Sequence, residues 1–179
     1  MVINNIFTNI IAEEFINIDV VDFCNSLSDG QYLPSFKEPE LQELLSVIKL
    51  KFNELHKVLG FSDGSYQELY NACINKNSNK YIETAHSHPR NFFTAVYYPT
   101  NYGSSLLLFN PIMAHTHVIP ADMGARVISE FNEFNSSTWT IVPEAGKLVI
   151  FPSWLVHQVL PNNDSRRLSI AFNSRLIIK

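Results

Sequence analysis

Charge is scarce in this chain. Asp, Glu, Lys and Arg make up 17% of its 179 residues, below the roughly 25% of an average globular protein. Combined with 46% hydrophobic and 12% aromatic residues, that scarcity excludes an intrinsically disordered chain, which needs the opposite balance. There is no basic run. Lys and Arg total 13 against 17 Asp and Glu, a net charge of −4. Sequence-independent nucleic-acid binding rests on clustered cations that neutralise phosphates, so that class is disfavoured. Cysteine is nearly missing. Cys24 and Cys73 stand far apart, without the spacing of a metal finger or a redox pair, and read as reduced thiols of a cytosolic protein. No stretch approaches the ~18 uninterrupted apolar residues of a membrane span. A secretory leader is not expected either. The first lysine is Lys37, and Glu13 and Glu14 interrupt the early apolar run, whereas a leader begins with positive charge. No repeat of solenoid length recurs.

What remains is a length suited to one domain, 1–179, able to bury a core without disulfides or structural metal. Two zones differ in pattern. Up to about residue 80 the chain reads as a helical support region. Leu41, Leu44, Leu45, Ile48, Phe52, Leu55 and Leu59 recur at three- and four-residue steps, one face of an amphipathic helix. Pro39 suits its first turn and Gly60 its C-cap. A shorter helix is expected from Asp19 to Leu27, and a third around Tyr66 to Ile74. From residue 81 onward short strands take over: Phe92–Tyr98, Ser105–Phe109, Thr138–Val142, Lys147–Phe151, Val156–Leu160 and Arg167–Ile178. They are rich in β-branched and aromatic residues and separated by Gly, Pro and Asn turns. The expectation is an α+β, mainly β protein, with helices packed outside a barrel-like sandwich.

Histidines carry the chemistry. His86-Ser87-His88 and His115-Thr116-His117 are His-x-His pairs. On a strand, residues two apart share a face, so His86 and His88 would point into one space and chelate a metal with a third ligand from elsewhere. His157 ends an apolar run, Gly146 to His157, broken by Pro152. A neutral imidazole among apolar neighbours needs its nitrogens satisfied, and a metal satisfies one. Arg167 and Ser169 then share a strand face and offer a fork of N–H donors and a hydroxyl, suited to a carboxylate. His56, alone on the first long helix, reads as the edge of a solvated face. His115 and His117 read as a loop feature ahead of the late strands.

Four stretches resemble one family together: His86-Ser87-His88-Pro89, Ala95-Val96-Tyr97-Tyr98, Phe151-Pro152-Ser153-Trp154-Leu155-Val156-His157, and Arg167-Leu168-Ser169-Ile170-Ala171-Phe172-Asn173. The pattern is similar to the Fe(II)- and 2-oxoglutarate-dependent oxygenases, more narrowly the phage-type 2OG-Fe(II) oxygenases, over roughly residues 80 to 175. The resemblance implies a double-stranded β-helix (a jelly-roll, cupin-like core). It also implies a dioxygenase that consumes 2-oxoglutarate and O2 on Fe(II), a hydroxylase in the usual case. His86 matches the first iron ligand and His157 the distal one. Arg167 matches the residue that pairs with the far carboxylate of 2-oxoglutarate, Ser169 its hydroxyl helper, and Tyr98 a co-substrate tyrosine. Phe151 and Trp154 would be walls of the pocket or ordinary core aromatics.

One position departs from the pattern. An aspartate is usual two residues after the first histidine, and here it is His88. Either His88 is a ligand in a neutral three-histidine site, or Glu83 or another acid supplies the carboxylate, or the site holds metal without turnover. His88 is the favoured ligand, since nothing else in register is as well placed. The rival class is a cupin-like metal protein or isomerase that uses no 2-oxoglutarate; a non-catalytic β-sandwich is a third reading. Arg167 with Ser169 speaks for the oxygenase. The implied location is the cytoplasm, that of a host if the chain is phage-encoded. A protein side chain, a nucleobase or a small metabolite would each fit as primary substrate.

Overall fold

Strand patterning divides the molecule into two antiparallel sheets. The computed structural model describes residues 9–33, 36–76, 83–112, 128–161 and 164–179. Within them the order is β1 (Ala12–Phe15), α1 (Val21–Ser26), β2 (Gln31–Tyr32), α2 (Gln42–Val58), β3 (Ser65–Asn75), β4 (Glu83–His86), β5 (Phe93–Tyr98), β6 (Leu106–Phe109), β7 (Thr138–Ile141), β8 (Lys147–Pro152), β9 (His157–Val159) and β10 (Ser169–Ile178). A six-stranded sheet runs β1-β8-β5-β10-β3-β2, and a four-stranded sheet runs β4-β9-β6-β7. Together they form a double-stranded β-helix, mainly β with few helices. Among the described residues no helix is long and apolar enough to cross a membrane.

The period of two on β5 and β10 decides which side is core and which is cavity. Phe93, Ala95 and Tyr97 of β5, with Ile170 and Phe172 of β10, join one hydrophobic cluster with Leu44, Leu45, Ile48 and Phe52 of α2. The alternate residues Thr94, Val96 and Tyr98, with Ser169, Ala171 and Asn173, line the space between the sheets. A second cluster, including Leu106, Leu108, Ile141, Val149 and Phe151, fills the rest of that space. α2 is therefore an outer brace. It forms where the apolar spacing predicts it, entered through a 3-10 turn at Pro39–Leu41 and followed by Gly60 at φ +80°.

Segment 66–74, where spacing predicts a third helix, is instead β3. It pairs along its whole length with β10, with an irregularity between Asn173 and Ser174. Asn71 faces Asn173 and Leu69 faces Ser174, so Tyr70 is the extra residue of a bulge. The bulge stretches the buried positions to Gln67, Leu69, Ala72 and Ile74, a spacing that mimics a helical face. The first 80 residues thus supply three strands, not helices alone, and β1, β2 and β3 complete the six-stranded sheet.

His56 is also corrected. It is buried, 2% exposed, on the α2 face turned toward β3. Gln67 Nε2 donates to its Nδ1 at 3.2 Å, which puts the imidazole proton on Nε2, 3.1 Å from Ser65 Oγ. Ser65 Oγ in turn donates to Ser62 O. Both ring nitrogens are satisfied inside the protein, so the residue is a polar tie between helix and sheet.

Candidate functional site

β4 and β9 are hydrogen-bonded neighbours, and His86 lies directly opposite His157 in their register. His88 follows β4 and is fixed through its backbone, N–H to Ser153 O at 2.8 Å. The three side chains converge. One nitrogen from each of His86, His88 and His157 lies within 4.8 Å of the others. His86 Nδ1 contacts Thr84 O at 2.7 Å, and His157 Nδ1 contacts Leu155 O at 2.9 Å. A carbonyl only accepts, so each Nδ1 carries the proton and each Nε2 keeps its lone pair. Metal-binding histidines are oriented in this way. Burial holds the His157 imidazole down to about 4 and lowers His88 as well, so both rings are neutral near pH 7.

The donor set fits a divalent metal. His88 Nε2 and His157 Nε2 stand 3.2 Å apart; adjacent nitrogens at about 2.1 Å from one ion, at a right angle, would be about 3.0 Å apart. Imidazole nitrogen suits iron among the first-row metals. Glu83, the alternative acid, is not one of the converging donors; its Oε1 lies 3.8 Å from His86 Nδ1. His115 and His117 fall outside the described residues.

The histidines open on a cavity of about 470 Å³. Its other wall comes from β5, β10 and β3. Arg167, Ser169 and Tyr98 line it with the three histidines, and all three are buried, Arg167 at 5% exposed. Burial raises the Tyr98 hydroxyl, against the pull of the Arg167 charge, so the phenol keeps its proton. Phe151 packs edge-on against His157 with ring centroids 5.0 Å apart. Trp154, read as a wall or core residue, is neither: it is 54% exposed on the surface turn between β8 and β9.

Sequence reasoning missed the row of polar groups on the cavity face. Ser153 Oγ and Thr94 Oγ1 are 2.8 Å apart, Thr94 Oγ1 donates to Asn173 Oδ1 at 2.8 Å, and Asn173 Nδ2 donates to Asn71 Oδ1 at 2.7 Å. Its direction is fixed at the buried end. Ser153 is wholly buried, and its hydroxyl proton has Thr94 Oγ1 as acceptor only if the row runs from Ser153 to Asn71. The reverse leaves a buried O–H unsatisfied, the costlier fault. Ser153 and Asn173 stand within the motif stretches, but nothing in the sequence joins them to Thr94 and Asn71; the four meet only in the fold. Thr94→Val keeps the shape and removes the middle of the row. It is expected to cost about 2–3 kcal/mol, a fall of roughly 5–10 °C in Tm for a domain of this size. Differential scanning calorimetry checks it; an unchanged Tm would remove the row from the account of this wall.

The comparisons with known proteins bear on this geometry. The model of the family described as "Putative 2OG-Fe(II) oxygenase" matches residues 72–173, more than half of the chain. The chain belongs to this 2OG-Fe(II) oxygenase family, and Fe(II) and 2-oxoglutarate are the cofactor and co-substrate that go with it. No curated protein matches the chain. Among solved structures it is similar to a prolyl-4-hydroxylase from Pseudomonas putida, with TM-score 0.62 and 17% identity over 94% of this chain and 93% of that one. It is also similar to an oxidoreductase of the 2OG-Fe(II) oxygenase family from Burkholderia pseudomallei, with TM-score 0.55 and 12% identity over 92% of this chain and 68% of that one. A third likeness is to SnoN, a non-heme α-ketoglutarate-dependent epimerase of nogalamycin biosynthesis, with TM-score 0.51 and 15% identity over 83% and 62% of the two chains. These likenesses establish the fold.

Proposed function

We propose that the protein is a hydroxylase in which His86, His88 and His157 hold Fe(II) and Arg167, Ser169 and Tyr98 hold the far carboxylate of 2-oxoglutarate. The overall reaction takes 2-oxoglutarate, O2 and a C–H bond to succinate, CO2 and a C–OH bond, so atoms and electrons balance. Bound at the histidines, the iron supplies the activation of dioxygen that amino-acid side chains lack. The chain's own residues do the rest. Leu155 O and Thr84 O orient two of the imidazoles. Arg167 meets the carboxylate with a planar fork of donors, and Ser169 and Tyr98 add hydroxyls at the same end. Val96 adds an apolar patch to the cavity lining, and Phe151 packs edge-on against His157 from the core.

The observation that carries this reading is that three converging imidazoles and a buried arginine line one cavity. A cupin-like metal protein has no use for that arginine. The test is an anaerobic titration of metal-free protein with Fe(II), then 2-oxoglutarate. A visible metal-to-ligand charge-transfer band on the second addition is the expected result. Metal binding without the band would leave a metal protein that does not chelate 2-oxoglutarate, and no metal binding would remove the histidines from the account.

A further inference from the structure

We propose that Gly103 is a positioning residue that sets how far Arg167 reaches into the cavity, and with it the affinity for a five-carbon 2-oxo diacid. The inference rests on the assignment of Arg167 to the far carboxylate. Gly103 lies in the connection between β5 and β6, and this connection is tied to the segment that enters β10. Leu160 N donates to Ser105 O at 3.0 Å, Ser104 Oγ donates to Pro161 O at 2.6 Å, and the Arg166 guanidinium stacks 3.7 Å from the centre of the Tyr102 ring. Between these ties Gly103 meets the stem of Arg167.

The contact leaves no room for a side chain. A Cβ at position 103 would sit 2.6 Å from Arg167 Cγ, 3.1 Å from Cδ and 3.2 Å from Cβ, all inside the ~3.5 Å at which carbon atoms pack. The backbone there has φ +127°, a conformation open to glycine and strained for any other residue. Arg167 is among the cavity's lining residues and Gly103 is not, while the glycine packs directly on the arginine stem. The backbone of residue 103 is the stop against which a long, rotamer-rich side chain rests, and a bidentate grip on a carboxylate requires such a stop. A methyl group at 103 drives the stem toward the ligand. That shortens the room for a dicarboxylate and leaves a 2-oxo acid with no second carboxylate untouched.

The experiment uses Mn(II)-loaded protein and isothermal titration with 2-oxoglutarate and with 2-oxopentanoate, which lacks the far carboxylate. Wild type, Gly103→Ala, Arg167→Ala and the double variant are compared. Gly103→Ala is expected to weaken 2-oxoglutarate by about 10- to 100-fold and to move 2-oxopentanoate by less than about twofold. In the Arg167→Ala background, where Cγ and Cδ are gone, the same glycine substitution is expected to change 2-oxoglutarate affinity by less than about twofold, the mark of two residues acting as one. Equal weakening of both ligands, additive effects in the double variant, or failure of both glycine variants to fold would overturn the proposal, because Gly103 would then serve the loop alone. Wild type binding both acids equally well would instead sink the assignment of Arg167, whatever the glycine variants do.

Discussion

His157→Ala is expected to abolish stoichiometric Fe(II) binding. Three features make this histidine the hardest of the three to replace. It is 4% exposed, its ring is held by Leu155 O through Nδ1, and it stands opposite His86 in the β4–β9 register while its Nε2 meets that of His88. It is the hub of the cluster. Alanine removes a nitrogen that cost nothing to orient, because the neighbouring carbonyl had already fixed the ring. Disturbing even an outer partner of a metal ligand costs about 10- to 100-fold in affinity, so removing the ligand itself is expected to exceed that range. Iron content after desalting, read by inductively coupled plasma spectrometry, checks it. One iron per chain retained by the variant would refute the role of His157.

Arg167→Ala is expected to weaken 2-oxoglutarate by about 100-fold or more while leaving metal affinity within about twofold. The charge-assisted, bidentate contact of a guanidinium with a carboxylate is worth roughly twice a neutral hydrogen bond, and most of that worth comes from fixed geometry in a site shielded from water. Arg167 is shielded from water, 5% exposed, in a cavity that Tyr98 and Ser169 also line. Its sequence neighbour cannot replace it. Arg166 is an exposed residue bound to Asp164, Nη2 to Oδ2 at 2.8 Å and Nε to Oδ1 at 3.0 Å. Paired titrations of Mn(II) and then 2-oxoglutarate separate the two affinities. A loss of metal binding in this variant would mean that the substitution damaged the site as a whole.

Much of this architecture was legible in the sequence, and the reason is local. β5, β8 and β10 are buried strands with apolar or β-branched residues at every other position, and α2 shows its apolar stripe. The three converging histidines were visible because His86 and His88 are two apart and because His157 interrupts an apolar run. The illegible parts share a different cause: they depend on what a distant segment does. Tyr70 is an extra residue only because β10 passes beside it, so β3 wore the spacing of a helix. His56 looks solvated until Ser65 and Gln67 arrive from β3. Short β1 and β2 are strands because β8 and β3 offer them edges. Asn71 and Asn173 are 102 positions apart, and nothing local pairs them. Trp154 was misread for the opposite reason: a large apolar residue beside a motif need not face the motif's side of the chain.

The row from Ser153 to Asn71 has a bearing on how this pocket can change. Its members sit on β3, β5, β10 and the turn after β8, and each spends its hydrogen-bonding capacity on the next. Ser153 also gives its carbonyl to the backbone of His88. Such residues drift as a set. A laboratory library that varies positions 71, 94, 153 and 173 one at a time will mostly collect destabilised proteins, whereas apolar replacement of all four together removes donor and acceptor in pairs and is far cheaper. Anyone redesigning the cavity for a new substrate should therefore treat that wall as a single choice and look to Val96, Ala171 and Val159, which carry no polar obligations, for stepwise changes.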